Sequence, residues 1–491
     1  MSWRIALLFF ALGILTRIPF QTEHLWAHDS VLYERAIERF DPLEQRPQAP
    51  GYLYYVLLIR ALDALVGDAN RAMTLVALVS GAAAALLLYL LAARLYDERT
   101  GRISALFLLS AVTFWAYGGV AYPYTLLAAL SVGCTLLFWR ATVAARGRSA
   151  GLVLASAAWG LAIGFRSDLA IFLAPLWLIA AWRTGIAASA LAATVTVGLV
   201  GVWYTASALA GGGFDRFAEA LRIQARFIDE RYSVFGSHGP RALVGNLYEL
   251  ARFLGRGLYF LAPLVAAVPL SAAARRIELA DRRRALFMAA WTAAPLAIYV
   301  PVHVGEYGYV FSIVPPLTVV AARGAVAVAR GLRMPRTLPL IVGAVVLANS
   351  AIFLLSDTPL SASDVLRRDH GVAERIAYLQ REPDLARATI IAAYDAEVAQ
   401  RYAPADHVVL GYDPANPGFE FVHGSAACAP GIGAREGCSR SAVIAIWDDL
   451  IRVAGGGWET VVMPHGAKLR IARDVTGVRV RVDGLEVTLE R

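Results

Sequence analysis

The stretch MTLVALVSGAAAALLLYLLAARLY, residues 73–96, carries no charge before Arg94 and exceeds the about 20 apolar residues that a helix needs to cross a bilayer. A segment this long and apolar is stable in lipid only as a helix that satisfies its own backbone hydrogen bonds. Ten further runs share the character: Trp3 to Phe20, Ile103 to Gly118, Tyr122 to Trp139, Gly151 to Phe165, Leu169 to Trp182, Ile186 to Ala210, Gly257 to Ala274, Ala285 to Val304, Tyr307 to Ala322 and Leu338 to Leu355. Composition agrees with that reading. Of 491 residues, 58% are apolar and 17% charged, and mean hydropathy is +0.54. Intrinsically disordered and disulfide-stapled classes are thereby excluded, leaving a mainly α, polytopic membrane protein with about eleven spans.

The net charge is +8, and all but one of the 46 basic residues are Arg, the exception being Lys468. Their placement is one-sided. With the N-terminus cytoplasmic, Arg94, Arg99 and Arg102 fall inside, followed by Arg140, Arg146 and Arg148, then Arg183, then Arg275 to Arg284, then Arg323 to Arg336. Cytoplasmic loops retain positive charge; the opposite connection Gly119 to Ala121 has none, and Gly305-Glu306 has only an acid. Tyr52 to Val66 is apolar but carries Arg60 and Asp63. Counting it as a span would put the 275–284 Arg cluster outside, so it reads as an interfacial helix. The first span lacks a small-residue cleavage site and reads as an uncleaved anchor.

Three regions then face outward: a first loop over residues 21–72, a second over 211–256, and everything after Ser356. The division is a membrane domain, 1–355, and an outer domain, 356–491. In the second loop Phe214, Phe217, Leu221 and Phe227 recur near helical spacing among charges, the pattern of an amphipathic surface helix. Beyond Ser356 a helix is expected over Val365 to Gln380, with strands at Thr389 to Ala393, Val408 to Gly411, Val443 to Ile446, Thr460 to Met463, Val478 to Val482 and Leu485 to Leu489. Asp483-Gly484 is a two-residue hairpin signal between the last two. This small α/β domain would lie in an oxidising compartment, where Cys428 and Cys438 could pair.

The first outer loop is the most informative for chemistry. It holds His24, Trp26, His28, Asp29, Tyr33 and Glu34, then a proline-rich approach, Pro47 to Tyr52, into the next apolar helix. Asp29 serves either as a general base or as an N-cap for a helix starting at Ser30. Glu34 is a second acid. His24 and His28, spaced i, i+4, would be the weak metal alternative with Asp29. Arg166 and Asp168 interrupt apolar sequence where charge is expensive, as an ion pair closing a helix hairpin or with Arg166 as an anion ligand. His303, Glu306, Tyr307 and Tyr309 form a further cluster. There is no P-loop, CxxC pair or nucleophile elbow.

With Asp29 and Tyr33 shortly after the first span, then Pro47, Pro50, Tyr52 and Tyr54, the chain resembles the GT-C membrane glycosyltransferases, in particular the protein O-mannosyltransferase and aminoarabinose-transferase-like group. The resemblance implies transfer of a sugar from a polyprenyl-phosphate donor to a lipid, glycan or protein acceptor on the outer face of a bacterial inner membrane, with inversion. It implies Asp29 as base, His28, Tyr33, Glu34 and Tyr52 around the substrate, and Arg166 or the His303–Tyr309 group near the donor phosphate. Some members carry another acid in the second short outer connection. Here Tyr117 to Pro123 has none, which favours a mechanism without a metal cofactor. Asp448-Asp449 lacks the third position of a nucleotide-sugar motif. The rival readings are a flippase or transporter of a lipid-linked glycan, and a scaffold presenting the outer domain.

Overall fold

The computed structural model describes residues 2–237, 239–333, 336–385, 388–393, 395–403, 407–413, 418–423, 443–447, 451–454, 457–473, 479–482 and 485–488. Every expected apolar run is helical over most of its length, and many ends fall at polar or glycine residues. Helix α1 (Trp3–Arg17) continues through a 3-10 turn to Phe20, α2 is His28–Glu38, and α3 (Leu53–Val66) stops at Gly67, whose φ of 70° ends a helix readily. Helices α4 (Ala69–Leu95) and α5 (Glu98–Ser110) begin at Asp68 and Asp97, whose carboxylates accept the backbone N–H of Arg71 and Thr100 at 2.7 Å. An extended Ala111 separates α5 from α6 (Val112–Ala116), so the run 103–118 is two helices.

Then follow α7 (Tyr124–Val143), α8 (Arg148–Phe165), α9 (Leu169–Ala181), α10 (Ile186–Ala210), α11 (Phe214–Tyr232), α12 (Gly239–Leu258), α13 (Ala262–Leu270) and α14 (Ala272–Ala280). Helix α15 (Arg282–Tyr299) is capped by Asp281, α16 (Val314–Gly331) opens with Pro315 and Pro316, and α17 is Thr337–Leu355. Among the described residues seven segments are long and apolar enough to cross a membrane: Trp3–Phe20, Ala69–Leu95, Tyr124–Val143, Arg148–Phe165, Ile186–Ala210, Gly239–Leu270 and Thr337–Leu355. The other expected runs are helical but shorter or interrupted. Helix α9 has 13 residues, α15 stops at Tyr299, and the run from Tyr307 starts with a 3-10 turn. The second long loop forms two amphipathic helices, α11 and α12, where one was expected.

Close helix packing follows from small residues, as it does in lipid, where no hydrophobic force holds helices together. A Cβ on Gly13 would stand 2.8 Å from Cα of Ala82, and one on Gly101 would stand 2.8 Å from the carbonyl oxygen of Tyr89. Packing divides the chain into two units: the segment up to Gln21 with Arg35–Ala362, and Thr22–Glu34 with the chain from Ser363 onward. The stretch over residues 21–72, expected as an outer loop, is thus divided, its first part belonging with the C-terminal unit. That unit contains most of α18 (Ala362–Arg381), β1 (Thr389–Ala392), α19 (Ala396–Tyr402), β2 (Val408–Asp413), β3 (Gly418–His423), β4 (Ile444–Ile446), β5 (Arg452–Ala454), β6 (Trp458–Val462), β7 (Lys468–Ala472), β8 (Arg479–Val482) and β9 (Leu485–Thr488).

One sheet has the order β3-β2-β1-β4-β7-β6, with β1 parallel to β2 and β4 and the other pairs antiparallel; a second has the order β5-β8-β9. Ile391, Ile444, Ile446 and Ile451 form a core with Ala472. The strands β3, β5 and β7 are additional to those expected. Val482 pairs with Leu485 across β8 and β9, whereas the turn Asp483-Gly484, Cys428, Cys438, Asp448 and Asp449 lie outside the described residues.

In the membrane unit Asp41, 2% exposed, anchors the start of α11. Arg216 reaches it through Nη2 at 2.7 Å and Nε at 3.2 Å, and Arg39 through Nη2 at 2.5 Å. Burial pushes the Asp41 carboxyl up, but the hydrogen bond and charge of Arg216, with Arg39 beside it, outweigh this and hold it below the ordinary range. Arg216→Gln should therefore destabilise the protein by about 1–3 kcal/mol. A lowered folded pKa gives stability that is complete above the unfolded value of about 3.9 and lost as pH falls through the folded one. Thermal unfolding in detergent should show a constant deficit for the variant near neutral pH that shrinks below about pH 4.

Candidate active site

Four parts of the membrane unit, the approach to α3, the start of α7, the connection between α8 and α9, and that between α15 and α16, come together around one cation. Arg166 follows α8 in an extended conformation and is 3% exposed. Its Nη2 donates to Oδ2 of Asp168 at 2.8 Å, and its guanidinium lies over the rings of Tyr52, Tyr124 and Tyr309 at 4.9, 5.2 and 5.9 Å. The carboxylate and the aromatic faces offset the cost of removing the charge from water, each ring contributing about 0.5–2 kcal/mol. The second carboxylate oxygen, Oδ1 of Asp168, is buried with no hydrogen-bond partner among the described residues.

Local backbone choices serve this cluster. Gly51, at φ 90°, leads into Tyr52, which is itself left-handed at φ 47° and ψ 46°. For a tyrosine that conformation costs about 1–3 kcal/mol and persists only where surrounding packing requires it. At Gly51 a Cβ would stand 2.5 Å from the Phe40 ring, and at Gly308 a Cβ would run into the ring of Tyr124. Gly308 therefore lets that ring lie against the chain beside Tyr309.

A tyrosine wall extends from the cation. Tyr117, Tyr122 and Tyr124 pack with centroids 5.2 to 5.6 Å apart. Tyr117 donates its hydroxyl to Glu306 at 3.3 Å, and Tyr299 donates to the carbonyl of Tyr309 at 2.8 Å. His303 packs on Tyr232 at 4.3 Å and Tyr309 at 5.7 Å. Tyr307 accepts a hydrogen bond from Arg256 and lies 5.7 Å from the guanidinium of Arg252. The structure thus joins Tyr52, Arg166, His303, Glu306, Tyr307 and Tyr309, and adds Tyr117, Tyr122, Tyr124, Tyr299, Arg252 and Arg256. The i, i+4 spacing of Arg252 and Arg256 on α12 is the available sequence signal for that pair.

The remaining candidates lie in the other unit. Helix α2 starts at His28, so Asp29 sits within its first turn rather than capping a helix from Ser30, where the partial positive charge of the helix end favours a carboxylate. Tyr33 is buried. Glu34 is clamped by Arg401, with Nε at 2.6 Å and Nη2 at 3.1 Å. Asp369 accepts the backbone N–H of Glu23 at 3.0 Å and of His24 at 2.7 Å, and the Tyr402 hydroxyl oxygen accepts the N–H of Leu25 at 2.8 Å. His24 Nδ1 also lies 3.3 Å from Asp369. Among the described residues no three His, Cys, Asp or Glu side chains are grouped to hold a metal ion.

Asp168→Ala would leave the Arg166 cation buried without its carboxylate, costing about 3–5 kcal/mol, whereas an Arg166→Gln/Asp168→Asn pair removes both charges and should recover most of that loss. Detergent unfolding midpoints for the three proteins check this ordering.

Residues 48–208 match the family described as dolichyl-phosphate-mannose-protein mannosyltransferase. That stretch holds Tyr52, Tyr124, Arg166 and Asp168, while Asp29 lies before it. No curated protein matches the chain. Among solved structures, apo ArnT from Cupriavidus metallidurans is similar at a TM-score of 0.53 and 15% identity, over 83% of this chain and 93% of that one. The same protein bound to undecaprenyl phosphate is similar at 0.51 and 14%, over 84% and 85%. The apo Archaeoglobus fulgidus oligosaccharyltransferase aligns at a TM-score of 0.46 and 13% identity, over 80% of this chain, which spans 63% of its length. The chain is a multi-pass membrane protein with the GT-C glycosyltransferase fold.

Proposed function

We propose that the chain moves a sugar from a polyprenyl-phosphate-linked donor to an acceptor hydroxyl or amine on the outer face of a bacterial inner membrane. The observation that carries this reading is the buried Arg166 among Tyr52, Tyr124 and Tyr309, within the segment that matches the mannosyltransferase family. ArnT, whose fold the chain shares, is known with undecaprenyl phosphate bound.

The chemistry sets what each group does. As the acceptor attacks the anomeric carbon, Asp29 takes its proton and the bond from that carbon to the phosphate oxygen breaks. Configuration inverts, and the leaving polyprenyl phosphate gains one negative charge. Arg166 meets that charge where it develops, and because its position is already fixed by Asp168 and the rings, no reorganisation is needed in the transition state. Arg256, Tyr307 and His303 hold the donor beside it, and the tyrosine wall excludes water that would otherwise hydrolyse the donor. The one-sided Arg pattern supports a cytoplasmic N-terminus and an outer C-terminal domain.

Purified protein incubated with radiolabelled polyprenyl-phosphate sugar and a hydrophobic acceptor extract should transfer label covalently. In proteoliposomes, movement of the donor across the bilayer without covalent change would contradict transfer. Asp29→Asn should lower the transfer rate by about a hundredfold or more while gel filtration shows a folded protein; undiminished activity would refute Asp29 as the base.

A further inference from the structure

Wholly within the C-terminal unit lies a cavity of about 460 Å³, in the size range of small-ligand sites. Two periodicities supply its charge. On α18, Arg367, Arg368 and Arg375 share a face with Asp364 and Val372, and on β7 the side chains of Lys468 and Arg470, two apart, share one face of the strand. Gly371 makes the approach possible, since a Cβ there would stand 2.6 Å from the Cβ of Ala467 in the turn between β6 and β7. Five cationic side chains thus surround one hollow, against the two acids Asp364 and Asp395.

Asp364, 2% exposed, is taken up by Arg367 and, at 3.2 Å, by Arg368. Arg375 is 6% exposed, donates through Nε to the carbonyl of Lys468 at 2.9 Å and lies 5.4 Å from the Trp447 ring. The remaining lining is rich in donors. Trp26 and Trp447 both face the cavity, and the indole N–H of each is buried without a partner among the described residues. A buried donor without an acceptor is costly, and both indole N–H groups belong to the lining of a hollow whose cations outnumber its acids.

We propose that this cavity binds a phosphate ester on a small polar headgroup. Phosphate fits better than a single carboxylate because several guanidinium forks and an ammonium converge, and its oxygens can accept from more than one of them. The volume leaves room for the group the phosphate is attached to. Its lining shares no residue with the Arg166 cluster, and the proposal does not depend on sugar transfer. Its ligand comes either free in solution or on a phospholipid.

Full-length protein in phosphatidylcholine nanodiscs, titrated calorimetrically with glycerol 3-phosphate, should bind it saturably and not bind glycerol, and inorganic phosphate should compete. Lys468→Gln/Arg470→Gln should weaken binding about tenfold or more with an unchanged unfolding midpoint. Lys468→Gln alone, whose side chain is exposed, should give a smaller loss in the same direction. Repeating the titration in phosphatidylglycerol nanodiscs separates the sources: binding abolished there identifies the lipid headgroup as occupant, and binding retained identifies a soluble ester. Absence of saturable binding in phosphatidylcholine, or affinity unmoved by the paired substitution, would overturn the proposal.

Discussion

A guanidinium held out of water at the junction of α8 and α9 needs a counter-charge, and Asp168 at 2.8 Å supplies it. The unit is organised around that requirement. Tyr52 accepts a left-handed backbone, and Gly308 gives up a side chain so that Tyr124 can lie against it. Tyr299 fixes the chain at Tyr309 by a hydrogen bond. The strain at Tyr52 is about 1–3 kcal/mol, less than the about 3–5 kcal/mol cost of leaving one partner of a buried pair alone. Structural need alone would be met more cheaply by apolar side chains. The proposed function gives the retained charge a role, as the cation that meets the donor phosphate.

The membrane spans are legible in the sequence because lipid leaves a chain few choices, and uncharged runs become helices. Ile186 to Ala210 is an instance, the expected run and α10 coinciding between Gly185 and Gly211. Breaks within runs are harder to read. Nothing in the hydropathy of 103–118 marks the extended Ala111, and the amphipathic α12 merges into apolar sequence at Gly257 without a stop signal. Arg166 and Glu306 are visible as charges at apolar boundaries, and Tyr309 stands out by its company with His303, Glu306 and Tyr307. Tyr124 has no such charged neighbour, and a tyrosine at a span end is also the ordinary aromatic belt, so only the fold brings its ring to Arg166. Short strands such as β5, three residues long, have no periodicity to detect.

The C-terminal unit has its own structural reason to keep the stretch after the first helix in place. Asp369 and Tyr402 hold the backbone from Glu23 to Leu25, and Arg401 holds Glu34. These contacts bracket Asp29 on both sides, so the small domain orders the segment that carries the proposed base. Sequence separation hides this link, since the partners are more than 340 residues apart.

The central claim is that Arg166 receives the phosphate of the lipid donor. Its most direct test is the affinity for polyprenyl phosphate of the Arg166→Gln/Asp168→Asn protein, which removes the buried cation with its counter-charge, measured by native mass spectrometry against the parent. Binding weakened about tenfold or more, with the fold intact, is the predicted result; equal affinity in the two proteins would contradict the account.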